Sequence, residues 1–254
     1  MSSVSSVSGS GYSSYSVIAN GGTYVRAAQG ASELAMQERT KQQVGGLEAG
    51  SENLTSARSA LKVEDGAMGE VTGYLQSIRE LSVKAMNGTM SDSDKKSIQD
   101  QINQYKKGIE DIANNTTYNE KKLLDGTAKD MTVASDANGS SETISGYNMT
   151  LESLGIKDFD VTKDFDLKDV DKALDKLSDS RTGAGAKTNG VEYSLSYNSH
   201  AALELDGFQM DKEEKNSVDA YQQLKTKQAL DAYKTTLQKK QQDDEERKSM
   251  MLFA

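Results

Sequence analysis

Reading in steps of three and four residues from Leu54 gives Leu54, Ala57, Leu61, Glu64, Met68, Val71, Leu75, Ile78, Ser82 and Ala85. Eight of these ten positions are apolar, and the residues between them are mostly charged, amide, hydroxyl or glycine. So narrow a seam, at a period near 3.5, predicts a helix buried along one stripe against other helices. At 1.5 Å rise per residue it would be about 50 Å long, too long for a compact domain of this size. The partners must come from elsewhere in the chain.

Two further seams supply them. Asn87-Gly88 suits a left-handed cap, and Ser91-Asp92-Ser93-Asp94 offers an N-cap oxygen and first-turn carboxylates. The next helix then carries Ile98, Ile102, Tyr105, Ile109 and Ile112 and ends at Asn114-Asn115. So short a connection makes it an antiparallel return. A second long seam runs through Val170, Leu174, Leu177, Arg181, Ala184, Thr188, Val191, Leu195, Asn198, Ala202 and Leu205. Between these elements, residues 116–126 read as a loop closed by Leu123 and Leu124. Residues 130–148 read as a β-hairpin with an Asn138-Gly139 turn.

The ends of the chain read differently. Residues 1–22 are rich in Ser and Gly and are expected to be a disordered tail. From 23 to 50 an irregular helical pattern (Ala27-Ala28, Leu34, Met36, Val44, Leu47) is weakened by Gly30, Gly45, Gly46 and Gly50, so breaks are expected. Residues 211–254 form a separate helical segment with a weak stripe of Tyr221, Leu224, Leu230, Tyr233 and Leu237. It closes on the charged run Lys239–Lys248 and the apolar tip Met250–Ala254. The fold class is therefore mainly α: an elongated antiparallel helical bundle or coiled-coil rod with a small β-hairpin. Its rod domain covers residues 23–210, with helices at about 54–87, 92–113 and 168–206. The rod core is expected to be Leu61, Met68, Leu75, Ile98, Ile102, Ile109, Leu174, Leu177, Val191 and Leu195.

Composition agrees with thin cores. Of 254 residues 35% are hydrophobic and 6% aromatic, and none is proline, whose ring would interrupt a long helix. The net charge of −9, without a basic stripe, speaks against nucleic acid as a partner. With no cysteine, disulfides and thiolate metal sites are excluded. No apolar run reaches the ~18 residues of a membrane span, and the N-terminus lacks a Sec-type signal pattern. The single histidine, His200, lies one residue off the seam without company for a metal. Adjacent acids such as Glu64-Asp65 and Asp243-Asp244 point about 100° apart on a helix. Gly183-Ala184-Gly185 lies within a helical seam with no preceding strand, so it is no phosphate loop. No catalytic group, cofactor or metal is expected, and an enzyme is not the reading.

The block Leu75-Gln76-Ser77-Ile78-Arg79-Glu80-Leu81-Ser82-Val83-Lys84-Ala85-Met86-Asn87-Gly88, with Ser91-Asp92-Ser93-Asp94 and Ser97-Ile98-Gln99-Asp100-Gln101-Ile102, strongly resembles bacterial flagellin. So does Tyr118-Asn119 with Lys122-Leu123-Leu124. Ala35–Arg39 through Leu47, the hairpin to Leu154-Gly155-Ile156, and Val170–Ser178 are further points of similarity. The likeness covers roughly residues 20–210 and is most specific over 75–124. It implies a flagellin rod domain and a structural subunit of the flagellar filament. Such a subunit is secreted through the flagellar type III apparatus, with an export chaperone as partner, and self-assembles with other flagellin subunits. It also implies a lateral contact built from Ile78, Arg79, Leu81, Val83, Lys84 and Gln101. A host innate immune receptor is a weaker partner on this reading, because Ser77 and Gln101 replace the arginine and glutamate of that motif. Two departures stand out: a short Ser-rich tail replaces the family's apolar N-terminal helix, and the C-terminal helix carries the run Lys239–Lys248. They keep open a non-polymerising paralogue acting as a binding protein, or a hook–filament junction protein.

Overall fold

The computed structural model describes residues 8–27, 29–128 and 130–252. Among them α1 is Ser8–Ala19, α2 Ala31–Ala85, α3 Asp92–Asn115, α4 Leu151–Leu154 and α5 Leu167–Leu252. The strands are β1 Thr117–Tyr118, β2 Lys121–Lys122, β3 Met131–Ala134 and β4 Ser141–Ile144. The fold divides into two compact units, Met1–Gly45 with Ala201–Ala254, and Gly46–His200.

In the unit Gly46–His200, the three seams meet. Met68, Val71, Leu75 and Ile78 of α2 pack with Ile102 and Ile109 of α3 and with Val170, Ala173, Leu177 and Ala184 of α5, in one buried cluster. A second, smaller cluster joins Leu54, Ala57 and Leu61 to Ile144 and Val191. Of the ten expected core residues, eight are buried; Leu174 and Leu195 are half-buried at the edges of these clusters. The connection from α2 to α3 is closed by a capping box: Ser91 accepts from the Asp94 N–H, and Asp94 accepts from the Ser91 N–H.

The segment after α3 is more ordered than a loop. Thr117 pairs with Lys122 and Tyr118 with Lys121, around a turn in which Asn119 and Glu120 hold φ of 46° and 65°. Leu123 and Leu124, both buried, close it onto the core. In the β3–β4 hairpin, Met131 pairs with Ile144 and Ala134 with Ser141. A longer loop replaces the expected tight turn: Ser135 N–H donates to Ser140 O at 2.9 Å, and Asp136 accepts from the N–H groups of Asn138 and Ser140. The Ser140 hydroxyl first, and then these N–H groups, hold the Asp136 carboxyl below its ordinary range.

Downstream, two side chains of α3 pin residues 157–161. Buried Gln99 accepts from Val161 N–H at 2.8 Å, and Lys106 Nζ donates to Lys157 O at 2.6 Å. Burial pushes the Lys106 ammonium down.

Three sequence expectations change. The glycines at 45, 46 and 50 do not break α2, because two of them are where the hairpin sits down. A Cβ on Gly46 would lie 2.2 Å from Ala137 Cβ, and one on Gly50 only 1.9 Å from Ser135 O. Their missing side chains serve a close approach. The helix expected to end near 206 does not end there: α5 continues unbroken to Leu252, although the division between the two compact units falls at Ala201. Finally, Ser8–Ala19, placed in the expected disordered tail, is helical.

That third change is explained inside the unit Met1–Gly45 with Ala201–Ala254. Ser14 and Val17 are buried, and Ser14 Oγ donates to Gln223 Oε1 of α5. Gly21 and Gly22, at φ of 64° and 89°, turn the chain beside α5, where Asn216 donates to Gly22 O. A Cβ on Gly22 would meet Glu213 O at 1.7 Å. Packing here overrides the poor helix propensity of Ser and Gly. Residues 1–7, Ala28 and the side chains of the apolar tip from Met250 to Ala254 lie outside the described residues.

Candidate assembly surfaces

The candidate contact face of the unit Gly46–His200 lies at the end of α2, and the structure sorts its residues into two groups. Ile78 is fully buried and Leu81 is 9% exposed. Both lie on the side of α2 that packs in the core, so Ile78 cannot serve as a surface contact. Arg79, Val83 and Lys84 are exposed, and so is Gln101 on α3. Arg79 is already engaged: its Nε donates to Asp171 Oδ1 of α5 at 2.7 Å. With both side chains nearly half exposed, that pair contributes little, well under about 1 kcal/mol.

Exposed beside it are Gln76 and Val83 of α2 and Met86, the residue that follows the helix. Val83 is 48% and Met86 61% exposed. Met86 was not among the sequence candidates, although its place off the seam in an otherwise polar turn signals it. On α5, Tyr193 and Tyr197, one turn apart, are also strongly exposed and were also missed.

The second unit carries a longer exposed stripe. On α5, Tyr221, Leu230, Tyr233 and Leu237 are all exposed, and the last three follow i, i+3, i+7 spacing. Their neighbours Lys239–Arg247 are exposed as well. A seam of this period is the side a helix presents to another helix. Solvated in a single chain, it is a candidate interaction surface.

Among the described residues no group of three or more His, Cys, Asp or Glu could hold a metal ion, and no helix is long and apolar enough to cross a membrane. His200 is exposed. Among the described residues one ionisable side chain is displaced into the interior: Glu64, on the α2 seam, is 1% exposed, and burial pushes its carboxyl up to about 8.

A family model described as the bacterial flagellin N-terminal helical region matches residues 3–129. The flagellin of Bacillus subtilis (strain 168) is 34% identical over 210 residues, which are 67% of this chain and 69% of that protein. The flagellin of Clostridium tyrobutyricum is 36% identical over 128 residues, covering 50% of this chain and 34% of its own length. The chain thus spans about two thirds of one relative and about one third of the other. Among solved structures, the crystal structure of Bacillus cereus flagellin superposes with a TM-score of 0.53 at 28% identity. The match covers 58% of this chain and 88% of that one.

Proposed function

Since the chain belongs to the bacterial flagellin family, we propose that it works as a structural subunit of the flagellar filament. It leaves the cell through the flagellar export apparatus, attended by an export chaperone, and then associates with other flagellin subunits. The observation that carries the self-association is the exposed stripe Leu230, Tyr233 and Leu237 on α5. Each is about half exposed already, so burying the rest contributes about 1 kcal/mol per side chain on each helix, and the stripe works together with other contacts against the cost of association. The end of α2 with Val83 and the following Met86, flanked by Lys84 and by Gln101 on α3, supplies a second contact between subunits. An innate immune receptor contact belongs to the same α2–α3 region. Val83, Lys84 and Gln101 are exposed there, while Arg79 is held by Asp171.

Sedimentation of the purified protein under filament-forming conditions tests the proposal. The unmodified chain pellets as polymer, and Leu230→Glu with Leu237→Glu leaves it in the supernatant with helicity unchanged. A wild-type chain that stays monomeric with or without added flagellin would overturn self-association.

A further inference from the structure

The α2 seam contains one carboxylate. Leu54, Ala57, Leu61, Glu64, Met68 and Val71 are each at most 4% exposed, and neither carboxyl oxygen of Glu64 has a hydrogen-bond partner. Its position in the core is specific. Leu61, one turn before it, belongs to the small cluster with Ile144 and Val191, and Met68, one turn after it, belongs to the large one. On α5 the same break falls between Ala184, in the large cluster, and Val191, in the small one. Glu64 is therefore at the joint between two apolar layers.

The polar groups around this joint are committed elsewhere. Thr188, between Ala184 and Val191, donates its hydroxyl to its own helix at Ala184 O, 3.0 Å away. Arg181 of α5 is held by Asp65 of α2 at 2.9 Å. Lys187 is exposed. Glu142 of β4 accepts from Ser194 at 3.0 Å. Tyr147, after β4, comes so near α5 that a Cβ on Gly183 would lie 2.6 Å from its hydroxyl oxygen. Its own phenol is pushed up, by burial first and then by the charge of Glu64. Tyr147 is thus the titratable group that feels Glu64, and it brings no positive charge.

We propose that Glu64 is a proton-controlled latch: its neutral acid closes the α2–α5 seam between the two core layers, and loss of its proton to solvent opens the seam there. The latch is independent of assembly and resides in the folded unit itself. An ionised carboxylate without a partner is expelled from an apolar seam, so ionisation and opening are coupled. The folded group holds its proton up to about pH 8, whereas in the opened segment it titrates near its ordinary 4.5. Opening is therefore favoured as pH rises through that window. The open fraction increases about tenfold per pH unit and levels off above pH 8.

Amide hydrogen exchange on the full chain, corrected for intrinsic rates, tests this between pH 5 and 9. Protection over residues 57–71 and 181–191 falls about tenfold per pH unit up to pH 8, while amides around Val17 and Ala220 keep flat profiles. Glu64→Gln flattens the profile at the joint; Glu64→Met serves if the amide variant does not fold. Infrared spectroscopy of the unmodified protein at pH 7 shows a protonated carboxylic acid carbonyl band. Absence of that band overturns the latch, whether a water, a cation or solvent holds the carboxylate. So does a glutamine or methionine variant that retains the pH slope.

Discussion

Alanine replacing glycine in an exposed helix position stabilises by about 0.5–1 kcal/mol, because the backbone entropy lost on folding is smaller. Helix α2 contains glycines that obey that expectation and others that reverse it, Gly50 most sharply. Gly66 and Gly73 are exposed, with nothing within 4 Å of an added Cβ, so Gly66→Ala and Gly73→Ala each gain about 0.5–1 kcal/mol. Gly50 is buried, and its added Cβ would lie 1.9 Å from Ser135 O, whereas ordinary contact begins at 3.4 Å. The hairpin loop must retreat by about 1.5 Å. That retreat strains or breaks the hydrogen bond from Asn198 Nδ2 to the same oxygen, now 2.7 Å. Losing such a bond costs about 0.5–1.5 kcal/mol, and leaving a buried carbonyl unpaired about 1–3 kcal/mol. After the helix gain is set against these, Gly50→Ala destabilises by roughly 1–3 kcal/mol. Urea unfolding followed by far-ultraviolet circular dichroism reads the three variants side by side. A Gly50→Ala chain as stable as Gly66→Ala would refute the close docking of the hairpin on α2.

Other outcomes follow from particular contacts. Glu120 holds φ of 65° in a two-residue turn of the kind that favours glycine, so Glu120→Gly raises the unfolding free energy by about 0.5–1 kcal/mol in the same assay. Ile102→Ala, in a site with no solvent exposure, costs about 2–5 kcal/mol, whereas a double-mutant cycle on Arg79 and Asp171 returns a coupling below about 1 kcal/mol that vanishes in high salt. For pH, the folded Glu64 carboxyl lies above its unfolded value of 4.5, so its contribution is fully present below pH 4.5 and is lost as pH rises toward 8. Glu64→Gln therefore gains stability relative to wild type at pH 8.5 compared with pH 5, by an amount on the order of 4 kcal/mol, read from urea midpoints at the two pH values.

The seams of α2, α3 and α5 are legible in sequence because burial on one stripe selects apolar residues at a fixed period. The same periodicity already places Ile78 inside, between Leu75 and Ser82. Only the likeness to a family contact put it on the surface, and the structure sides with the period. Gly46 and Gly50 read as weak points of a helix because their use depends on a hairpin some 85 residues later, which no local window contains. The helix Ser8–Ala19 was illegible for a related reason: Ser and Gly have little helical preference of their own, and the segment is placed by Ser14 against Gln223 and, just after the helix, by Gly22 against Glu213 and Asn216. Of the assembly surfaces, the stripe 221–237 was visible as a period. Met86 and Tyr193 needed the exposure itself.

The central claim is that the chain is built into a flagellar filament. Filaments sheared from the bacterium that produces it and purified by sedimentation, then examined by mass spectrometry and electron microscopy with an antibody to this chain, test that most directly. Its peptides are expected in the filament fraction, with label along the filaments. Filaments free of the chain, together with normal filament length in a strain lacking it, would contradict the account.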